Sequence, residues 1–145
     1  MRWTVAAFLL GFALSCWADD AGQIKTASGT VYLERDGKRL PAQVGMAVRQ
    51  SDTLVTGADG AAGVTFTDNS LLSVGPNSVL AIDRYAFDST THRGQFDASL
   101  RKGTLAVISS KMVRQSPDAM RVRTPASIMG VRGTEFVVRV EEPGN

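Results

Sequence analysis

Few side chains in these 145 residues can do chemistry: there is one histidine, His92, and one cysteine, Cys16. Imidazole is the ordinary proton shuttle near neutral pH, so His92 would have to serve any acid–base mechanism. It stands in Asp88-Ser89-Thr90-Thr91-His92-Arg93-Gly94, whose polar residues read as a loop tip between two strands. Zinc centres draw on several His or Cys ligands, and no HExxH, CxxC or Gly-x-Ser-x-Gly pattern occurs. A Ser-His-Asp triad can assemble from distant positions, but nothing else in the chain points to one. The reading is of a non-enzymatic protein with no catalytic residue, no metal ligand and no cofactor.

The carboxylates and glycines read as structural. Asp59-Gly60 and Asp68-Asn69-Ser70 lack both the ligand spacing of an EF-hand and the repeats of calcium-binding β-rolls. Their side chains are expected to close turns by bonding their own backbone. Gly130-Val131-Arg132-Gly133 lacks the lysine and hydroxyl of a phosphate-cradling loop and runs between strand-like segments, which makes it a β corner. Arg121, Arg123, Arg132 and Arg139 form the densest basic group, without the aromatic interleaving of a base-stacking surface. Nucleic acid is not an expected partner.

Positioning these residues falls to short runs rich in Val, Ile, Leu, Thr and Phe, punctuated by Gly, Asp, Asn, Ser and Pro, the pattern of an all-β protein. Strands are predicted at 24–27, 31–35, 39–41, 53–56, 62–66, 71–74, 79–87, 95–102, 104–108, 120–124, 127–131 and 134–140. Alternation places Phe136, Val138 and Val140 on a core face, with Glu135, Val137 and Arg139 on the other. Val122 likewise sits between Arg121 and Arg123, and Val64 and Phe66 alternate with Thr65 and Thr67. The Asp36-Gly37 and Asp59-Gly60 pairs predict positive-φ hairpin turns, and Gly29, Gly45, Gly57, Gly75, Gly103, Gly130 and Gly133 mark further corners. Gly133 is expected to take a positive φ or to be packed too closely for a Cβ.

Residues 1–18 have the three-part build of an export signal: Arg2, an apolar core over residues 5–14, and Ala18 as a small cleavage residue, so that the mature chain starts at Asp19. The apolar run falls short of the roughly 20 residues that span a bilayer, and later runs are shorter, so no transmembrane helix is expected after cleavage. The alternative is a lipoprotein box at Ala13-Leu14-Ser15-Cys16, with Cys16 lipidated and the protein anchored by acyl chains. Leucine stands two positions before the cysteine rather than three, which favours cleavage after Ala18. Loss of Arg2 leaves 15 basic against 14 acidic residues, with the two signs interspersed. Residues 19–145, 127 in number, suit one domain with one core.

The run Thr124-Pro125-Ala126-Ser127-Ile128-Met129-Gly130-Val131-Arg132-Gly133-Thr134-Glu135-Phe136-Val137-Val138 joins a Thr-Pro turn, a tight Gly-x-x-Gly-Thr step and an alternating strand. It resembles the closing signature of the FecR-like periplasmic domain family, carried by Thr124, Pro125, Gly130, Val131, Arg132, Gly133, Thr134 and Phe136. Earlier parts of the family pattern are matched by Gly29-Thr30-Val31, Gly45, Asp52-Thr53-Leu54-Val55-Thr56-Gly57, Phe66-Thr67-Asp68-Asn69-Ser70 and Val74-Gly75-Pro76-Asn77-Ser78. The family usually has Asp-Gly-Ser where this chain has Asp68-Asn69-Ser70, and Asn accepts the positive φ of such a turn as Gly does.

The resemblance implies a single domain of many short strands, a β-roll or solenoid-like body with its family core at about 53–140. No strict repeat period is visible, so the residues alone equally allow a β-sandwich or a partly open barrel. It also implies a periplasmic or secreted location. In the iron-dicitrate regulators of this family the domain lies outside the inner membrane, joined by a transmembrane helix to a cytoplasmic segment that controls a sigma factor. With neither helix nor segment here, the expectation is the outer part of a relay: a binding or signalling module that docks onto a membrane sensor or receptor. The other reading is a structural scaffold of the cell envelope, attached to peptidoglycan or to other surface proteins through strand edges.

Overall fold

Burial alternates residue by residue along the chain, which is how a strand with one face in a core must read. In β6 (Ala61–Phe66) Ala62, Val64 and Phe66 are buried while their neighbours are half-exposed. In β10 (Met120–Arg123) Met120 and Val122 are buried between exposed arginines. The computed structural model describes residues 20–88, 90–108, 113, 119–126, 128–130 and 135–140. The predicted leader with Cys16, and Val131, Arg132, Gly133 and Thr134 of the signature, lie outside the described residues.

The other strands are β1 (Gly22–Ser28), β2 (Val31–Arg35), β3 (Lys38–Pro41), β4 (Ala47–Val48), β5 (Thr53–Thr56), β7 (Leu71–Val74), β8 (Val79–Phe87), β9 (Gly94–Ile108), β11 (Ile128–Gly130) and β12 (Glu135–Val140). Together they form one sheet in the order β3-β2-β5-β8-β9-β7-β6-β1-β4, with β10 and β12 along the other flank of β9 and β11 beyond β10. Every pairing is antiparallel except that of β10 with β9. The fold is thus all-β, a single body of many short strands, as predicted.

The sheet curls because β9 serves two walls. Its first half pairs with β8 and β10, and its second half with β7 and β12. The fold line is Gly103, at φ +95°, where an added Cβ would overlap Ser78. A glycine is needed there both for the left-handed backbone and for the close approach. A knot of hydrogen bonds pins the neighbouring corner: Thr56 Oγ1 donates to the Gly75 carbonyl at 2.6 Å, Ser78 N donates to Thr56 Oγ1 at 2.9 Å, and Thr104 N donates to Ser78 Oγ at 3.0 Å. Leu33, Leu54, Leu80, Ile82, Phe96 and Leu100 join Ile24, Val64, Leu72, Leu105 and Val107 in one core. An aromatic trio of Phe66, Tyr85 and Phe96 packs with ring centroids 4.6 to 5.3 Å apart.

Some local expectations change. The runs 95–102 and 104–108 are one strand, because Gly103 bends the ladder without ending it. The two-residue strand β4 was not predicted; it exists through its pairing with β1, a partner more than twenty residues away. Asp36 and Gly37 take positive φ values of 53° and 74° and close the β2–β3 hairpin as expected. Asp59-Gly60 does not: neither residue is in the left-handed region, and Gly60 is there because the Thr30 carbonyl lies where a Cβ would be. Phe136 faces the core but is only half-buried at the flank of the sheet, and Val138 is the buried residue of that face.

Candidate functional site

The motif residues divide into those used up by the fold and those left at the surface. Asp68 closes its turn as predicted, accepting from Ser70 N at 3.0 Å and Ser70 Oγ at 2.7 Å, while Asn69 takes φ 70°. Thr67 Oγ1 shares a 2.7 Å hydrogen bond with the Tyr85 hydroxyl, and Asp68 N donates to the same oxygen at 3.1 Å. Burial, set against these bonds, pushes the Tyr85 hydroxyl up to about 12. It is therefore a protonated donor at neutral pH, not a base. Hydrogen bonding from the Thr30 side chain, and from Thr30 N at 3.2 Å, holds the Asp59 carboxyl below its usual range, and Thr90 N at 2.8 Å with Thr91 N at 3.3 Å does the same for Asp88.

Of the closing signature, Thr124 and Pro125 follow β10, Gly130 ends β11, and Phe136 lies in β12. The described signature residues are therefore divided between the two walls, since β10 flanks the first half of β9, with β11 beyond it, and β12 flanks the second half. The basic group is split in the same way: Arg121 and Arg123 project from one wall and Arg139 from the other. His92 is in the predicted loop, at φ 58°, with its ring stacked on Phe87 at 6.1 Å.

A cleft of about 410 Å³ opens beside these turns, lined by Arg35 and Asp36, by residues 49–52 and by Tyr85. Its floor is a clamp that the sequence did not reveal. Arg35 meets Asp52 in bidentate fashion, Nε to Oδ1 at 2.9 Å and Nη2 to Oδ2 at 2.6 Å, and Nη2 also donates to the Ala47 carbonyl at 3.0 Å. Asp52 Oδ2 further accepts from Arg49 N at 2.8 Å. The bonds to Asp52 raise the Arg35 guanidinium above its ordinary value against the opposing effect of burial. At the rim, Arg49 Nε donates to Asp20 Oδ1 at 3.0 Å and Gln50 Oε1 accepts from Tyr85 N at 3.1 Å. Such a surface offers charged and amide groups for recognition.

Two further features are exposed only by the fold. Asp97 is buried on β9 opposite Arg84 and Arg121; its Oδ2 accepts from Gln95 Nε2 at 3.0 Å while Oδ1 has no hydrogen-bond partner among the described residues. On the outer face of the other wall, Leu71 and Ile108 are direct cross-strand neighbours, as are Ala106 and Val137. Leu71, Ile108 and Val137 are 41, 45 and 64% exposed, so the two pairs form an apolar patch reaching β12. Among the described residues there is no cluster of potential metal ligands, and no helix is long and apolar enough to cross a membrane.

The FecR protein family profile matches residues 52–145, and the chain belongs to that family. FecR proteins are regulatory and signalling proteins rather than enzymes, interact with other proteins and are associated with the periplasm and membrane. Comparison with curated proteins and with solved structures finds no match. The match begins at Asp52, so Gly29-Thr30-Val31 and Gly45 fall before it, although β1 and β2 are paired into the same sheet through β6 and β5.

Proposed function

We propose that this chain is an exported FecR module that docks onto a membrane sensor or receptor and forms the outer part of a signalling relay. The family match over residues 52–145 carries this reading. It is supported by the export-signal pattern of residues 1–18, with Asp19 as the mature N-terminus, and by the polar cleft around Arg35, Arg49 and Asp52, which suits protein recognition. On this reading Thr124, Pro125 and Gly130 serve the fold at the ends of β10 and β11 rather than a surface for the sensor or receptor.

Purified mature protein used as bait on detergent-solubilised envelope is expected to retain one membrane sensor or receptor reproducibly. Arg49→Glu, which reverses a charge at the cleft rim, is expected to release it. Recovery of peptidoglycan alone, with no membrane protein, would instead identify an envelope scaffold. The intact mass of the envelope-fraction protein checks cleavage after Ala18; a lipid-modified Cys16 would show an anchored form.

A further inference from the structure

β12 pairs with β9 on one side only, and among the described residues no strand covers its other edge. An uncovered edge presents backbone donors and acceptors to any strand that can match it. Its exposed face reads Glu135, Val137, Arg139: acid, apolar, base. Glu135 lies opposite Ile108 on β9 and Arg139 opposite Thr104, so neither charge meets an opposite charge across that ladder.

We propose that β12 is a homodimerisation edge, on which two copies pair antiparallel about a two-fold axis through Val137. That register is self-complementary. It sets Glu135 of each copy opposite Arg139 of the other, twice by symmetry, and Val137 opposite Val137. On the inner face it sets the half-buried Phe136 of each copy opposite Val138 of the other, an aromatic and β-branched pair that covers the exposed ring. Registers centred on Glu135 or on Arg139 would instead oppose like charges, one centred on Val138 would set Glu135 opposite Glu141, and one centred on Phe136 would leave both charges facing uncharged residues. Val137 and its β9 neighbour Ala106 would adjoin their counterparts at the axis, making one apolar strip across the joined sheet. A second copy is favoured over an unrelated strand because the acid-apolar-base order matches its own reverse.

Sedimentation equilibrium of the purified protein over a concentration series tests this. The parent is expected to show a reversible dimer. Glu135→Lys and Arg139→Glu each replace two attractive cross-strand pairs by two repulsive ones, and each is expected to weaken the dimer by at least about tenfold. The double variant Glu135→Lys/Arg139→Glu restores opposite charges in the same register and is expected to return the parental affinity. Both side chains are exposed, so the far-ultraviolet circular dichroism of all four proteins should coincide. A parent that stays monomeric into the hundreds of micromolar, single variants that dimerise like the parent, or a double variant that fails to recover would each overturn the proposal.

Discussion

Asp52 shows what one buried carboxylate does in this protein. It accepts three hydrogen bonds, two from Arg35 and one from Arg49 N, and so ties β2 to the corner that leads into β5. Removing one partner of a buried pair strands the other charge, typically at about 3 to 5 kcal/mol. The Arg35 side chain keeps 23% exposure, so water recovers part of that loss. Asp52→Ala is therefore expected to cost about 2 to 4 kcal/mol, read by urea denaturation. Tyr85 gives a pH signature. Its hydroxyl titrates near 10 when unfolded and at about 12 in the folded protein, so the folded state holds its proton longer. That contribution is complete below pH 10 and disappears as pH rises toward 12. Tyr85→Phe should flatten the fall of melting temperature over this window, while lowering stability at neutral pH through loss of the Thr67 and Asp68 bonds. At the acid end, the depressed carboxyls of Asp59 and Asp88 act with the opposite sign. They stabilise above about pH 4 and stop doing so as pH falls through their folded values.

At the scale of elements, β9 decides the shape. Its fifteen residues join both walls, and only Gly103 lets it do so. In Gly103→Ala, a non-glycine residue at φ +95° costs about 1 kcal/mol or more, and the new methyl must displace Ser78, whose Cα would stand 2.5 Å away. A total above about 2 kcal/mol is expected, read as a lowered midpoint of thermal unfolding. Gly37→Ala is the control: φ is 74°, but nothing lies within 4 Å of the added methyl, so only the conformational cost remains. The larger loss should fall at Gly103, since the same local strain is joined there by a packing clash.

For the whole molecule, the unit that folds is longer than the segment the family profile matches. Ile24, Val31, Leu33 and Val48 lie before Asp52 and are buried in the same core as Leu54, Val64 and Leu80. Without them β5 and β6 would lose the partners β2 and β1 and expose new edges. A fragment of residues 52–145 is expected to lack cooperative unfolding and to aggregate, whereas the chain from Asp20 should melt in one transition. Differential scanning calorimetry of the two separates these outcomes.

Strand positions other than β4, the Asx turn at Asp68, the Asp36-Gly37 hairpin and the buried places of Val64, Phe66, Val122 and Val138 were legible in the sequence. They depend on period-two alternation and turn chemistry, which are set by residues next to one another. The family resemblance was legible too, from turn residues spaced along the chain. What required the tertiary structure depends on register between distant segments. Nothing local says that Arg35 will meet Asp52, that Gly60 is small for the sake of the Thr30 carbonyl, that Phe136 lies at a half-covered flank, or that Asp97 is buried between two arginine-bearing strands. The edge of β12 that no strand covers among the described residues belongs to the same class: the order Glu135, Val137, Arg139 is plain in the sequence, but its place at an edge follows from how β9 pairs with it.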